Sequence, residues 1–340
     1  MQVEQKYDVI ITGSGLGGLL CANMLGMRGL KVCVLEKNKQ FGGNLQTFSR
    51  EKQVFDTGVH YIGGLDKGQT LYQVFKYVGL MEQLKIEKMN PCFDKIMIEG
   101  DETIYCQAQD YEAYIHHLSA TFPDEKKNII NYCDRVKEVC ASFPLYNLSL
   151  KEEPASLYEG NNESAEAVIA SFTKNEKLRA VLAGNNLLYA GQEDVTPFHV
   201  HALIANSYIE SSWKCIGGGS QIAKILAANI RRYEGEILRN QEVTSIVEDN
   251  GKVTHITTAG GFTLYADYFI SNIHPAATLA MIESPLINRL YKKRITGLKQ
   301  TVSSFSLHLV LKDKTVAYEN CNYYYHKREK LWDLNEYNND

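Results

Sequence analysis

The stretch that most constrains this chain is Gly13-Ser14-Gly15-Leu16-Gly17-Gly18, because of what stands on either side of it. Before it, Tyr7-Asp8-Val9-Ile10-Ile11-Thr12 is short, β-branched and mostly apolar, as expected of a strand buried on both faces. After it, Leu19, Leu20, Ala22, Leu25 and Met27 fill a helix closing at Gly29. A second apolar run, Lys31 to Leu35, then delivers Glu36 at its carboxyl end. Strand, glycine turn, helix, strand and acid in this register predict a dinucleotide-binding βαβ unit. Gly13 permits the tight turn, Gly15 lets backbone approach a pyrophosphate, and Gly18 lets helix and strand pack closely. A helix starting near Leu16 aims unpaired N–H groups and a positive dipole end at phosphates. Glu36 can accept hydrogen bonds from a ribose diol, and its charge repels a 2′-phosphate.

The chain has 340 residues, enough for two domains with proper cores. A net charge of -4 and the lack of a dense basic block argue against a nucleic-acid partner. Tyrosine, at 21 residues, suits large part-polar surfaces or a long apolar pocket with polar tips. The eight cysteines form no C-x-x-C and do not cluster with histidine, so reduced thiols in a cytoplasmic protein and no metal site are expected. No run is apolar and long enough to span a bilayer, and Asp8 and the glycines argue against a signal peptide. No amphipathic basic helix stands out either.

Further along, a second glycine pair, Gly42-Gly43, would allow another close backbone approach to a cofactor larger than NAD. The run Phe55 to Gly64 mixes polar, aromatic and glycine residues: either a turn with a packed His60, or a wall beside a cofactor ring. Leu71, Val74, Phe75 and Val78 predict a helix ending near Gly79. Lys95–Ile98 and Thr103–Tyr105 read as a strand pair, and Asp110 and Pro123-Asp124 as helix starts. Residues 151–162 read as a loop and 198–208 as a helix, with His199 and His201 on different faces and so not joint metal ligands. Ser220 caps a helix closing at Gly235; strands at 243–247, 253–257 and 262–270 follow, turned by Asn250-Gly251 and Gly260-Gly261, a β-meander. Ser303 to Leu311 alternates like a strand, with Phe305, Leu307, Leu309 and Leu311 on one face, and 335–340 is a polar tail.

These residues resemble the FAD-dependent phytoene desaturase and amine oxidase superfamily, within it the retinol saturase and carotenoid isomerase branch. Gly13, Gly15, Gly18, Glu36 and Gly42-Gly43 match its N-terminal FAD motif; the runs 55–63, 93–100 and 122–123 resemble the branch. The resemblance implies an α/β fold: a Rossmann-like FAD-binding domain (GR2 type, parallel sheet plus β-meander) with an inserted α+β substrate domain. The FAD-binding domain would comprise 1–66 and 205–275, the substrate domain 67–204 and 276–340. The implied cofactor contacts are Gly13, Ser14, Gly15, Leu16, Gly17, Gly18, Glu36, Lys37, Gly42, Gly43, Asn44 and the backbone of Val243, near the adenine. NAD or NADP is admitted as electron donor. Family members carry a further C-terminal segment, with a Gly-Asp motif, that returns to the flavin; no such motif precedes Asp340, so these residues alone are expected to hold the ADP half.

The chemistry so implied is saturation or desaturation of a carbon–carbon bond in a lipophilic polyene, a retinoid- or carotenoid-like isoprenoid. His60 and Tyr61 are the candidate proton donors, with local packing the plainer reading of the histidine. Tyr323-Tyr324-Tyr325-His326 would line a lipophilic tunnel or end an exposed strand. Polyene isomerisation, amine oxidation and a non-catalytic nucleotide- or lipid-binding remnant remain the alternatives. Peripheral membrane contact is compatible with such substrates.

Overall fold

Tyr7, Val9, Ile10 and Ile11 lie in the strand Lys6–Thr12, and all four are buried because sheet neighbours flank the strand and helices or side chains cover it. The computed structural model describes residues 6–149, 163–312, 315–327 and 331–332. It divides the chain into two units, the first Met1–His60, Phe75–Lys85 and Cys215–Thr301, the second Tyr61–Val74, Ile86–Lys214 and Val302–Asp340.

The first unit is built on a six-stranded sheet in the order Glu236–Arg239, Val32–Glu36, Lys6–Thr12, Thr263–Ser271, Lys252–Thr258, Val243–Asp249. Its first four strands are parallel, and the last two return antiparallel as a meander. Asn250 and Gly251 both take positive φ (52° and 82°), the geometry a two-residue hairpin turn needs. Tyr7, Ile10, Cys33, Leu35, Val243, Ile256, Leu264 and Ala266 form one core cluster. The helices Leu16–Gly26 and Ser220–Arg232 pack together, with the buried Asn23 Nδ2 donating to Leu226 O at 3.1 Å. Register places Thr12 beside Leu35 and Ser271, and Glu36 beside Arg239, so the parallel strands end at one common edge.

In the second unit Cys92–Ile98 is the middle strand of three, antiparallel to Tyr105–Ala108 and parallel to Asn322–His326. Ile62–Gly63, Ser212–Cys215 and Ile86–Lys88 form a second small sheet. The helices Tyr111–Thr121, Lys126–Ala141, Ala165–Phe172, Glu176–Leu182 and Phe198–Glu210 contribute most of a large core that includes Tyr114, Tyr132, Ile129 and Ile169. Asp110 starts the first of these, its carboxylate accepting from Ala113 N at 2.7 Å.

Several expectations change. The unit boundaries fall at 60/61, 214/215 and 301/302 rather than 66/67, 204/205 and 275/276, and 75–85 joins the first unit. Asn229 and Gln221 bind that segment there, donating to the carbonyls of Val78 and Lys85. Ser303 to Leu311 forms no strand, and Phe305 is 93 % exposed. Alternation makes a strand only where a neighbour supplies the ladder, and none of the described residues does so. A short basic helix, Arg289–Thr296, appears where none was read. Six cysteines are free, but Cys92 and Cys106 form a disulfide: the hairpin brings their Cα atoms to 5.4 Å although 14 residues separate them, a proximity no C-x-x-C spacing announces. Residues 151–162 and 335–340 lie outside the described residues.

Candidate functional site: a dinucleotide cleft and a buried carboxyl–tyrosine cluster

At the carboxyl edge of the first unit's parallel strands lies a cleft of about 400 Å³. Ligands of open α/β sheets bind at this edge. Its walls are the first glycine turn (Thr12 to Gly15), the end of the second strand (Leu35 to Asn38), Gly43, the start of the meander (Gln241 to Val243), and the crossover Asn272 to His274 with Ala277 and Met281. The helix Leu16–Gly26 begins beside the turn, with Gly15 at its N-cap, so the N–H groups of its first turn could receive a phosphate-sized anion there.

Ser14 ties three loops together. Its backbone N–H and its hydroxyl both donate to Glu36 Oε2, and its Oγ accepts from Gly42 N at 3.1 Å. Glu36 Oε1 accepts from Asn38 N at 2.9 Å. A carboxylate offers about four acceptor sites, so the three bonds orient Glu36 and still leave capacity for a ribose hydroxyl. Gly18 is sterically obligatory, and Gly43 makes a close approach at positive φ (56°). A Cβ at Gly18 would stand 2.2 Å from Gly13 O, and one at Gly43 would stand 3.1 Å from Gly15 Cα. The first contact lets the helix seat on the strand, and the second brings the two glycine loops together backbone to backbone. A cradle of bare backbone, a helix N-terminus and a fixed carboxylate fits the ADP half of a dinucleotide.

Of the expected contacts, Gly13, Ser14, Gly15, Glu36, Lys37, Gly43 and Val243 line this cleft. Leu16, Gly17, Gly18, Gly42 and Asn44 do not line it: Gly17 and Gly18 turn toward Asn272 and Gly13, and Asn44 O accepts from Val59 N. Asn272 was not among the expected contacts. Its N–H donates to Thr12 O at 2.8 Å, and its side chain packs on the glycine turn. The signal available for it was position, directly after a strand parallel to the first. Gln241, Glu242 and His274 are further additions of this kind.

His60 and Tyr61 part company. His60 is exposed and belongs to the first unit, its Nδ1 3.4 Å from Gly58 O. Tyr61 is 4 % exposed and belongs to the second unit, where its hydroxyl donates to Asp94 Oδ2 at 3.2 Å and lies 2.7 Å from Tyr324 Oη. Asn322 Nδ2 donates to Asp94 Oδ1 at 2.8 Å, and the Tyr208 ring lies 4.5 Å from that of Tyr61. Asp94 is wholly buried. Burial pushes its carboxyl up to about 7, against the opposing pull of the bonds from Asn322 and Tyr61. Burial, and then the neighbouring Asp94, push the Tyr208 hydroxyl to about 12 and raise Tyr61 well above the ordinary tyrosine value. Such a cluster can store a proton near neutral pH at Asp94 and hold it on Tyr61 or Tyr324. The run 323–326 is therefore neither simply tunnel nor simply exposed end: Tyr323 and Tyr325 face solvent, Tyr324 faces the cluster, and buried His326 Nε2 lies 2.7 Å from Gly184 O. His201, also buried, is held between the hydroxyls of Tyr132 and Tyr189, each at 2.7 Å, and burial lowers its pKa to about 4.

A parallel sheet with a glycine turn, an oriented carboxylate at the end of the second strand and an appended meander is the frame of dinucleotide-binding α/β proteins. The chain belongs to the flavin-containing amine oxidoreductase family, whose model matches residues 16–336. It is 29 % identical over 293 residues to human (Homo sapiens) all-trans-retinol 13,14-reductase, covering 80 % of this chain and 48 % of that protein. It is 26 % identical over 289 residues to the chloroplastic prolycopene isomerase of Arabidopsis thaliana, covering 79 % and 48 % respectively. The chain thus spans about half the length of these curated relatives. Its fold is similar to that of an oxidoreductase from Methanosarcina mazei (TM-score 0.64, 22 % identity, 87 % of this chain and 66 % of that one). Putrescine oxidase bound to putrescine is also similar in fold (TM-score 0.61, 16 % identity, 86 % and 63 %).

Proposed function

We propose that this chain holds FAD by its ADP half in the first unit and acts in the redox chemistry of a lipophilic polyene, a retinoid- or carotenoid-like isoprenoid, in the second. The observation that carries this reading is the pairing of the dinucleotide cleft with similarity to retinol reductases over four-fifths of the chain. When bound, the flavin supplies or accepts a hydride at a carbon–carbon bond, with NAD or NADP as electron source in the reducing direction. The chain's own residues bind and orient. Backbone N–H groups at Gly15 and Leu16, where the helix begins, take the pyrophosphate, Glu36 takes the ribose, the Val243 backbone meets the adenine, and Lys37 and Gly43 border the cofactor. Tyr61 Oη holds the proton for the neighbouring carbon and Asp94 resupplies it, because this hydroxyl is joined to a buried carboxyl. His60 is the second candidate for that role.

Isomerisation without net redox is the second reading, supported by the likeness to prolycopene isomerase. Mass analysis of retinol and prolycopene after anaerobic incubation with flavin-loaded protein and reductant separates the two. Gain of a hydrogen pair supports saturation, and a changed isomer of unchanged mass supports isomerisation. Recovery of both substrates unaltered would overturn both readings.

A further inference from the structure

The chain carries a net charge of -4, yet residues 284–300 contain Arg289, Lys292, Lys293, Arg294 and Lys299 and no Asp or Glu. This five-cation segment includes the helix Arg289–Thr296, none of whose residues is buried. Lys292 and Ile295 are half-buried, while Arg289, Lys293, Arg294 and Lys299 are exposed. Large apolar side chains stand in the open among them: Leu286 is 71 % exposed, Leu290 77 % and Leu298 56 %. Tyr291 is exposed as well, with the Arg294 guanidinium 5.6 Å from its ring centroid.

Exposed leucines are costly in water, and here they stand in a segment whose own charges are all positive, with Glu283 directly before it. A soluble polyanion would explain the cations and leave the leucines unexplained; a neutral apolar partner would do the reverse. An anionic bilayer satisfies both, since acyl chains take the leucines, the headgroup region takes tyrosine, and acidic lipids attract lysine and arginine. We propose that Leu286–Lys299 is a docking surface for an anionic lipid bilayer.

Co-sedimentation of the purified chain with phosphatidylcholine vesicles, with and without about one-third phosphatidylserine, tests this. The chain is expected to bind the phosphatidylserine vesicles at least about tenfold more tightly than the neutral ones, and to be released by high salt. Lys293→Glu/Arg294→Glu and, separately, Leu286→Ser/Leu290→Ser should each weaken binding by about tenfold or more. These residues are exposed, so both variants should keep the parent's thermal unfolding midpoint, which shows that folding is intact. Absence of binding, or equal binding to both vesicle types, would overturn the proposal. Sensitivity to the charge reversals with indifference to the leucine changes would assign the surface to a soluble polyanion and overturn it too. A leucine variant that alters the oligomeric state rather than vesicle binding would point instead to a second copy of the chain. Vesicle binding is measured without turnover, so its failure leaves the polyene reading standing.

Discussion

The dinucleotide cleft of the first unit and the Asp94 cluster of the second solve opposite problems. What the cleft offers a ligand is mostly backbone: glycines whose missing Cβ atoms make room, a helix N-terminus, and one carboxylate held by Ser14 and Asn38. In the cluster, four side chains from distant parts of the chain, Tyr61, Asp94, Tyr208 and Tyr324, meet around a carboxyl taken out of water. A backbone site depends on local shape, so it tolerates side-chain changes and fails when a Cβ intrudes. A buried polar site depends on mutual satisfaction, so removing one partner exposes the cost of all the others.

The sharpest break should come from Gly18→Val. Its Cβ would collide with Gly13 O, a backbone atom that cannot swing away. We expect a loss of about 4 kcal/mol or more in unfolding free energy, measured by denaturant melts. A variant as stable as the parent would show that the helix does not need this approach.

Next in size is the pH response of Asp94→Asn. The Asp94 pKa lies near 7 in the folded chain and near 3.9 when unfolded. Below about pH 4 both states are protonated and burial carries no ionisation penalty. Between about pH 4 and 7 the folded state binds the extra proton, so stability falls as pH rises, by on the order of 4 kcal/mol. The variant should lose that slope, read as the difference between parent and variant melts across the window. Parallel curves would mean that Asp94 titrates as an ordinary carboxyl.

Tyr61→Phe should separate the regions functionally. If Tyr61 holds the transferred proton, turnover of the polyene falls by about 10²-fold, while binding of ADP to the cleft is unchanged. An equal loss in both would mean that the substitution disturbs the fold. Smallest is Glu36→Ala, expected to weaken ADP binding about tenfold through the lost charge-assisted bond and to reduce discrimination against a 2′-phosphorylated analogue. Calorimetric titration of the two nucleotides reads both effects.

The same contrast explains what was legible in the sequence. Gly13 to Glu36 spans a single βαβ unit whose parts lie in order, so spacing alone predicts that unit, its glycine turn and its acid. The Asn250-Gly251 turn and the Asp110 cap are equally local. Asn272 was harder, because its place against the glycine turn follows from strand pairing across the sheet. Tyr61 and Tyr324 stand out separately in the sequence, but their meeting at Asp94 was not legible: they are 263 residues apart, and no spacing relates them. The Cys92–Cys106 pair is hidden for a similar reason: pairing of the two strands, with Cys92 opposite Ala108 and Cys106 opposite Lys95, brings it near, and no motif announces it. Ser303 to Leu311 shows the converse, a correct period-two pattern with no neighbouring strand among the described residues.

The central claim is that the first unit recognises the ADP half of a flavin dinucleotide. Its most direct test is a fluorescence titration of the purified chain with FAD and with FMN, each repeated in the presence of ADP. FAD should bind and be displaced by ADP, while FMN, which lacks the adenosine monophosphate portion, should not bind at the cleft. FMN binding as tightly as FAD, or FAD binding that ADP cannot displace, would contradict it.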